Sequence, residues 1–189
     1  MRIGITGYAE SGKDEVADIL VEEFGFVKVG MSDPLDKYLQ ILNPYIADDI
    51  YNEISTGLTR YAEFRSYTSY VDAKELPEVR ELLQRLGTEV GRDIDNDIWV
   101  KERMKTEVNF KHTVTTGIRY VNEAVGFDEI WRVNRLGYGP KNDHSSEQLD
   151  DVFALATVSM HNNSTLAIFK DMARNVCRVR TSRFVDGNG

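Results

Sequence analysis

The opening stretch RIGIT-GYAESGKD-EVADILVEEFG (2–25) admits one local architecture: strand, glycine-rich turn, helix. RIGIT is short, apolar and β-branched and reads as a buried strand, which Gly7 ends. Beyond the turn, Val16, Ile19, Leu20 and Phe24 recur at helical spacing, and Gly25 stands where a helix C-cap belongs. The octet between them fits G-x-x-x-x-G-K-[ST] at every fixed position except the last, where Asp14 replaces a hydroxyl residue. Such a turn aims successive backbone N–H groups inward, at the N-terminus of a helix, where they suit a chain of phosphates. Gly7 and Gly12 permit the backbone angles, and Lys13 is placed to reach terminal phosphates. Asp14 admits two readings. The usual hydroxyl ligates Mg²⁺, and a carboxylate is likewise a hard oxygen ligand. An acidic residue in a first helical turn is also favoured by the helix dipole, by about 0.3–1 kcal/mol. Glu15 adds a second negative charge for which the sequence gives no function.

The remainder repeats the alternation of strand and helix. FVKVG (26–30), HTVTTGI (112–118), EIWRV (129–133) and ATVSMH (156–161) read as four more strands. Ser32-Asp33-Pro34 opens a helix with a cap residue and an early proline. The middle, roughly 45–108, is polar, aromatic and mostly helical, and its clearest helix carries Val79, Leu82, Leu83, Leu86 and Val90 on one face. Ser164 is placed to cap a last helix with Leu166, Phe169, Met172, Ala173, Val176 and Cys177 on its apolar side. Five strands alternating with helices predict a parallel, doubly wound α/β sheet, with ligands at the carboxyl ends of its strands.

Charge and cysteine usage narrow the partners. A net charge of -8 argues against a general nucleic-acid binder, which needs a basic face, but leaves room for a small anionic ligand. Cys177 is the only cysteine, so neither an intramolecular disulfide nor a Cys-based zinc cluster is available. No run approaches the roughly 20 apolar residues of a membrane span, and MRIGITGYAE lacks a signal peptide's apolar stretch. The expectation is a soluble, cytoplasmic protein with no membrane partner.

Several motifs occur in a fixed order: GYAESGKD, SDPLDK after the second strand, LLQRLGTEVGRD, TTGIRYVNEA and WRVNRLGYGPKNDHSSE. Together they resemble the phage-type deoxynucleoside monophosphate kinases, over about residues 2–175. Glu15 stands where members of that family often have Thr, and Val121 where they often have Pro. The resemblance implies a single P-loop kinase domain, with a five-stranded parallel sheet flanked by helices. Its core covers 1–44 and 110–180, a helical acceptor-binding region about 45–109, and a lid about 135–148. ATP with Mg²⁺ would phosphorylate a deoxynucleoside monophosphate, in the host cytoplasm if the chain is phage-encoded, and relatives suggest a homodimer. The alternatives are another small-molecule P-loop kinase, such as a phosphomevalonate type, or a nucleotide-binding module without catalysis.

The resemblance also nominates residues. Gly7, Ala9, Ser11, Gly12, Lys13, Asp14, Glu15, Arg132 and Asn162 form the expected ATP set, Asn162 being placed for adenine after the fifth strand. Lys13, Arg119 and Arg135 are the expected catalytic cations, since phosphoryl transfer is mostly positioning and charge neutralisation. Arg119 stands just past the third strand and could instead form a surface ion pair with Glu123. Arg132, Arg135 and Lys141 flank hinge glycines, though a solvated basic loop gives the same pattern. P-loop enzymes usually offer an Asp at the end of the third strand; Gly117 holds that place here, so Asp14 would supply the metal carboxylate. Asp33 is either a helix cap or a contact to metal or sugar, with Lys37 one turn on. For the acceptor, Gln84, Thr88 and Arg92 share one side of a helix with Arg85 nearby; a solvated polar face is the other reading. Trp99, Tyr61 and Tyr120 are candidates for base stacking or for core. Glu123, His144 and Glu147 complete the substrate set, while Ser145 with Gln148 also fits a capping box.

Overall fold

The computed structural model describes residues 1–47 and 58–185. In chain order the elements are β1 (Arg2–Thr6), α1 (Lys13–Phe24), β2 (Val27–Lys28), α2 (Asp33–Leu42), β3 (Tyr45–Ala47), β4 (Leu58–Arg60), α3 (Tyr61–Tyr67), α4 (Tyr70–Ala73) and α5 (Pro77–Gln84). A π-helical stretch, Arg85–Arg92, follows, then α6 (Ile98–Glu107), β5 (Thr113–Thr116), β6 (Glu129–Asn134), α7 (Asp150–Phe153), β7 (Val158–His161) and α8 (Leu166–Val185). Two compact units are present: residues 32–99, and the remainder.

In the larger unit, five strands pair in parallel in the order β2-β5-β1-β6-β7. This is the α/β sheet with flanking helices that the alternation of patterns predicts. RIGIT and EIWRVN carry the apolar side chains of the sheet centre, whereas β2, β5 and β7 mix apolar with polar residues. Ile3, Ile5, Val114, Trp131, Val133 and Met160 pack with Val16, Ala17, Ile19 and Leu20 of α1 and Phe169, Ala173 and Cys177 of α8. Each fully buried aliphatic side chain contributes about 1.5–3 kcal/mol. Burial raises the Cys177 thiol pKa to about 12, so it packs as an apolar group. Gly25 caps α1 at φ 71, as its position implies. Thr165, not Ser164, caps α8: its Oγ1 accepts from the Ile168 N–H at 3.4 Å. β1 lies between β5 and β6, so the chain leaves it first toward one edge of the sheet and later toward the other. That reversal opens a crevice at its carboxyl end, where the octet begins.

The smaller unit departs from the sequence reading in two ways. First, β3 and β4 form an antiparallel pair, with Tyr45 opposite Arg60 and the guanidinium 3.8 Å over the tyrosine ring. Three-residue strands are too short to show an alternating pattern, and residues 48–57 of the expected helical region lie outside the described residues. Second, the long helix changes pitch. Val79 and Leu83 are buried in α5, but Val90 is 50% exposed, because i→i+5 bonding in the π-helical stretch turns the apolar stripe away. Gly87 and Gly91 are buried there. A Cβ on Gly91 would lie 2.5 Å from the Trp99 ring, whose Nε1 donates to the Gly87 carbonyl at 2.7 Å. Trp99→Phe loses that bond and part of the indole volume packed on Gly91. We expect a loss of about 2–4 kcal/mol, read from the urea midpoint. In the same unit Asp36 accepts from Tyr61 Oη (2.8 Å), Arg65 Nε (3.0 Å) and Gln40 Nε2 (2.9 Å), tying α2 to α3.

No described helix is long and apolar enough to cross a membrane.

Candidate functional site

The octet forms a tight loop after β1, held from several sides. Gly7 has φ +147, and a Cβ there would fall 2.2 Å from the Val133 carbonyl oxygen. The Ser11 N–H donates back to the Tyr8 carbonyl at 3.3 Å. Gly12, at φ 101, is the N-cap of α1 and brings no side chain to the helix's first amides. The Ser11 carbonyl accepts from Asn162 Nδ2 at 3.0 Å, so Asn162, at the end of β7, braces the loop. Ser11 is 1% exposed, and its Oγ is buried without a hydrogen-bond partner among the described residues. Ala9 is half-buried. Lys13 is 8% exposed and arches over the loop to the Tyr8 carbonyl. First-turn amides without a capping side chain, a buried hydroxyl and an enclosed ammonium together suit a polyphosphate.

Asp14 points to the end of β5. Its Oδ1 is 3.4 Å from Thr116 Oγ1 and 3.0 Å from Lys28 Nζ. Lys28 also holds Asp18 at 2.9 Å. Burial draws the Lys28 pKa down, but the hydrogen bonds and charges of Asp18 and Asp14 outweigh it and leave it above its ordinary value. Gly117 follows Thr116 at φ +87. Among the described residues no three His, Cys, Asp or Glu side chains form a group that could hold a metal. Glu15 pairs with Lys170 of α8 at 2.7 Å, a partially exposed pair of the kind that contributes about 0–1 kcal/mol.

The loops after β5 and β6 are joined through a buried carboxylate. Arg119 Nη1 donates to Glu147 Oε1 at 3.0 Å and to the Ser146 carbonyl at 2.7 Å, and Glu147 is 1% exposed. The other oxygen of Glu147 accepts from the Lys141 N–H at 3.3 Å. Glu123, the expected ion-pair partner of Arg119, instead accepts from the main-chain N–H groups of Arg119 (2.7 Å) and Tyr120 (3.2 Å). It shapes the turn and leaves the guanidinium to Glu147. The cap of the short turn Ser145–Glu147 is His144, not a Ser145–Gln148 box. The Ser146 N–H donates to His144 Nδ1 at 3.1 Å.

Basic side chains of this segment meet the octet at Glu10. Lys141 Nζ lies 2.6 Å from Glu10 Oε1, and Arg135 Nη1 donates to the Glu10 carbonyl at 3.2 Å. Arg135 also sits 4.4 Å over the Tyr138 ring. Arg132 lies 3.9 Å over Phe153, with its Nε buried and unpartnered among the described residues. Tyr8 packs edge-on against the same phenylalanine. The sequence marked Arg132, Arg135 and Lys141 by their flanking glycines. Lys28 and Glu10 escaped it: one is a charge inside a strand, the other a variable position of the octet.

In the smaller unit, Asp33 and Lys37 are exposed on the first turns of α2. Arg85 lies between Glu81 (4.0 Å) and Glu89 (3.4 Å), and Arg92 Nη1 donates to the Asn96 carbonyl at 3.0 Å. Gln84 ends α5 and Thr88 is half-buried; the π-helical pitch takes Gln84, Thr88 and Arg92 off the common column that four-residue spacing gives in an α-helix. Trp99 is 4% exposed and packs inside the unit.

No protein-family model and no curated protein sequence matches the chain. Among solved structures it is similar to the dephospho-CoA kinase from Campylobacter jejuni, at 13% identity and a TM-score of 0.46, over 97% of this chain and 96% of that one.

Proposed function

We propose that the chain is an ATP-dependent phosphotransferase that converts deoxynucleoside monophosphates to diphosphates, releasing ADP. The observation that carries the first half is the octet itself: an uncapped helix N-terminus, a buried unpartnered Ser11 hydroxyl and an enclosed Lys13 around one loop. The loop amides and Lys13 bind the triphosphate, with Lys13 exchanging the Tyr8 carbonyl for phosphate oxygens. Arg119 is oriented by buried Glu147 and stabilises charge on the transferred group. Arg135 and Lys141, already against Glu10, supply further positive charge and exclude water. Asn162 keeps the loop in shape for the nucleotide.

The Asp14 carboxylate and Thr116 hydroxyl are hard oxygens of the kind Mg²⁺ takes when phosphates and waters supply its other ligands. Asp14, with Thr116, would hold the ion, which when bound neutralises charge on the phosphates.

The acceptor half follows from the ordered motifs and their resemblance to deoxynucleoside monophosphate kinases. Arg85 or Arg92 would clamp the monophosphate, Gln84 and Thr88 would bond the base, and Asp33 and Lys37 would contact the sugar or phosphate. A panel of dNMPs, NMPs and phosphorylated alcohols, assayed for ADP release, tests the whole. Turnover is expected on at least one dNMP and to exceed that on any phosphorylated alcohol. Failure on every nucleoside monophosphate overturns the acceptor assignment; nucleotide binding without turnover on any acceptor overturns catalysis.

A further inference from the structure

We propose that Arg103 is a positioning residue for Arg119, holding from inside the fold the turn on which Arg119 stands. The inference rests on the reading of Arg119 as a cation of phosphoryl transfer. Arg103, Glu107 and residues 119–127 all belong to the larger unit. The Arg103 side chain, on α6, is fully buried. Its Nη2 donates to the Val125 carbonyl at 2.6 Å, and its guanidinium lies 4.0 Å over the Phe127 ring. Phe127 packs in turn on Gly4 of β1, where a Cβ would fall 3.0 Å from the ring. The far end of the turn is thereby fixed to α6 and to the sheet. From that end the main chain is tied back to Arg119 in short steps. The Val125 N–H donates to the Asn122 carbonyl at 3.3 Å, and the Glu123 N–H to the Tyr120 carbonyl at 3.0 Å. The buried Glu123 carboxylate then accepts from the Arg119 and Tyr120 amides, at 2.7 and 3.2 Å.

Stability alone does not account for a guanidinium at this place. Among the described residues its Nε and Nη1 are buried without a hydrogen bond, and a Glu107 carboxylate oxygen stands 3.7 Å from Nε. Glu107, 2% exposed, accepts from Thr115 Oγ1 at 2.8 Å. Burial draws the Arg103 pKa down, and the charges of Glu107 and then Glu123 oppose it. A buried pair with donors left over stabilises a fold little better than apolar side chains of the same volume. What an apolar side chain cannot do is hold the Val125 carbonyl and set a positive charge against that of Glu123.

The test is amide hydrogen exchange of the nucleotide-free protein, together with steady-state kinetics on the best acceptor of the panel. Arg103→Met is paired with Glu107→Gln, so that neither charge of the pair is left buried alone and Thr115 keeps an acceptor. The Arg119 and Tyr120 amides are expected to exchange about tenfold faster, with the amides of β1 and β5 unchanged. The kcat is expected to fall about tenfold with KM for ATP within about twofold, and the change is expected to add nothing to Arg119→Ala. If the double variant does not fold, Arg103→Lys takes its place. It keeps the charge, loses the planar fork, and is expected to show the same faster exchange. Unchanged exchange at Arg119 and Tyr120 overturns the proposal whatever the kinetics. Faster exchange with kcat unchanged, while Arg119→Ala is impaired, overturns it and leaves the Arg119 reading standing. A loss of kcat that persists in the Arg119→Ala background is general loosening and also overturns it. If Arg119→Ala turns over like the unmodified chain, the Arg119 reading itself falls and the proposal with it.

Discussion

Lys13→Ala is expected to lower phosphoryl transfer from ATP by about 10²–10³-fold while leaving the fold intact. The ammonium is enclosed by the loop, while Arg119 is engaged by Glu147, Lys141 by Glu10 on the loop's outer side and Lys170 by Glu15. Its hydrogen bond to the Tyr8 carbonyl contributes about 0.5–1.5 kcal/mol net. The expected loss is chiefly of charge stabilisation on the moving phosphoryl group. The measurement is ADP release with the best acceptor of the panel, beside the melting temperature. Residual turnover within about tenfold of the unmodified chain would remove Lys13 from the chemistry.

What the sequence displayed was local. Strand, octet and helix from residue 2 to 25 are each specified by neighbours a few positions away, and Gly25 closes α1 as its place implied. The five parallel strands were also legible, as short runs rich in β-branched and apolar residues between helical patterns. The contacts that tune the site were not. Asp14 meets Lys28 across the gap between α1 and β2, Glu15 meets Lys170 near the far end of the chain, and Arg119 meets Glu147 rather than nearby Glu123. Partner choice among charged side chains depends on tertiary geometry, and no spacing rule encodes it. The π-helical stretch failed for another reason. Reading Val90 with Val79 and Leu83 assumes a constant pitch, and the sequence has no separate signature for a change to i→i+5 bonding. The same assumption aligned Gln84, Thr88 and Arg92, which the π-helical pitch takes out of register.

Gly7→Ala tests whether the octet's geometry, and not merely its composition, makes the site. Gly7 and Gly25, before and after the first helix, both sit at positive φ and differ in surroundings. At Gly25, φ +71, a Cβ meets nothing within 4 Å. Only backbone strain opposes Gly25→Ala, about 1–2 kcal/mol. At Gly7 the same added carbon lies 2.2 Å from the Val133 carbonyl oxygen and 2.8 Å from Ser11 Oγ. The serine can rotate. The carbonyl cannot retreat, because β6 is clamped between β1 and β7 by paired ladders on both sides. The loop must therefore move, and with it the amides that α1 presents. Gly7→Ala is expected to cost about 3 kcal/mol or more in urea unfolding, strain and overpacking together. It should also abolish binding of a non-hydrolysable ATP analogue at concentrations that saturate Gly25→Ala. Equal analogue affinity in the two variants would mean that the phosphate site does not depend on the close approach of Gly7 to β6.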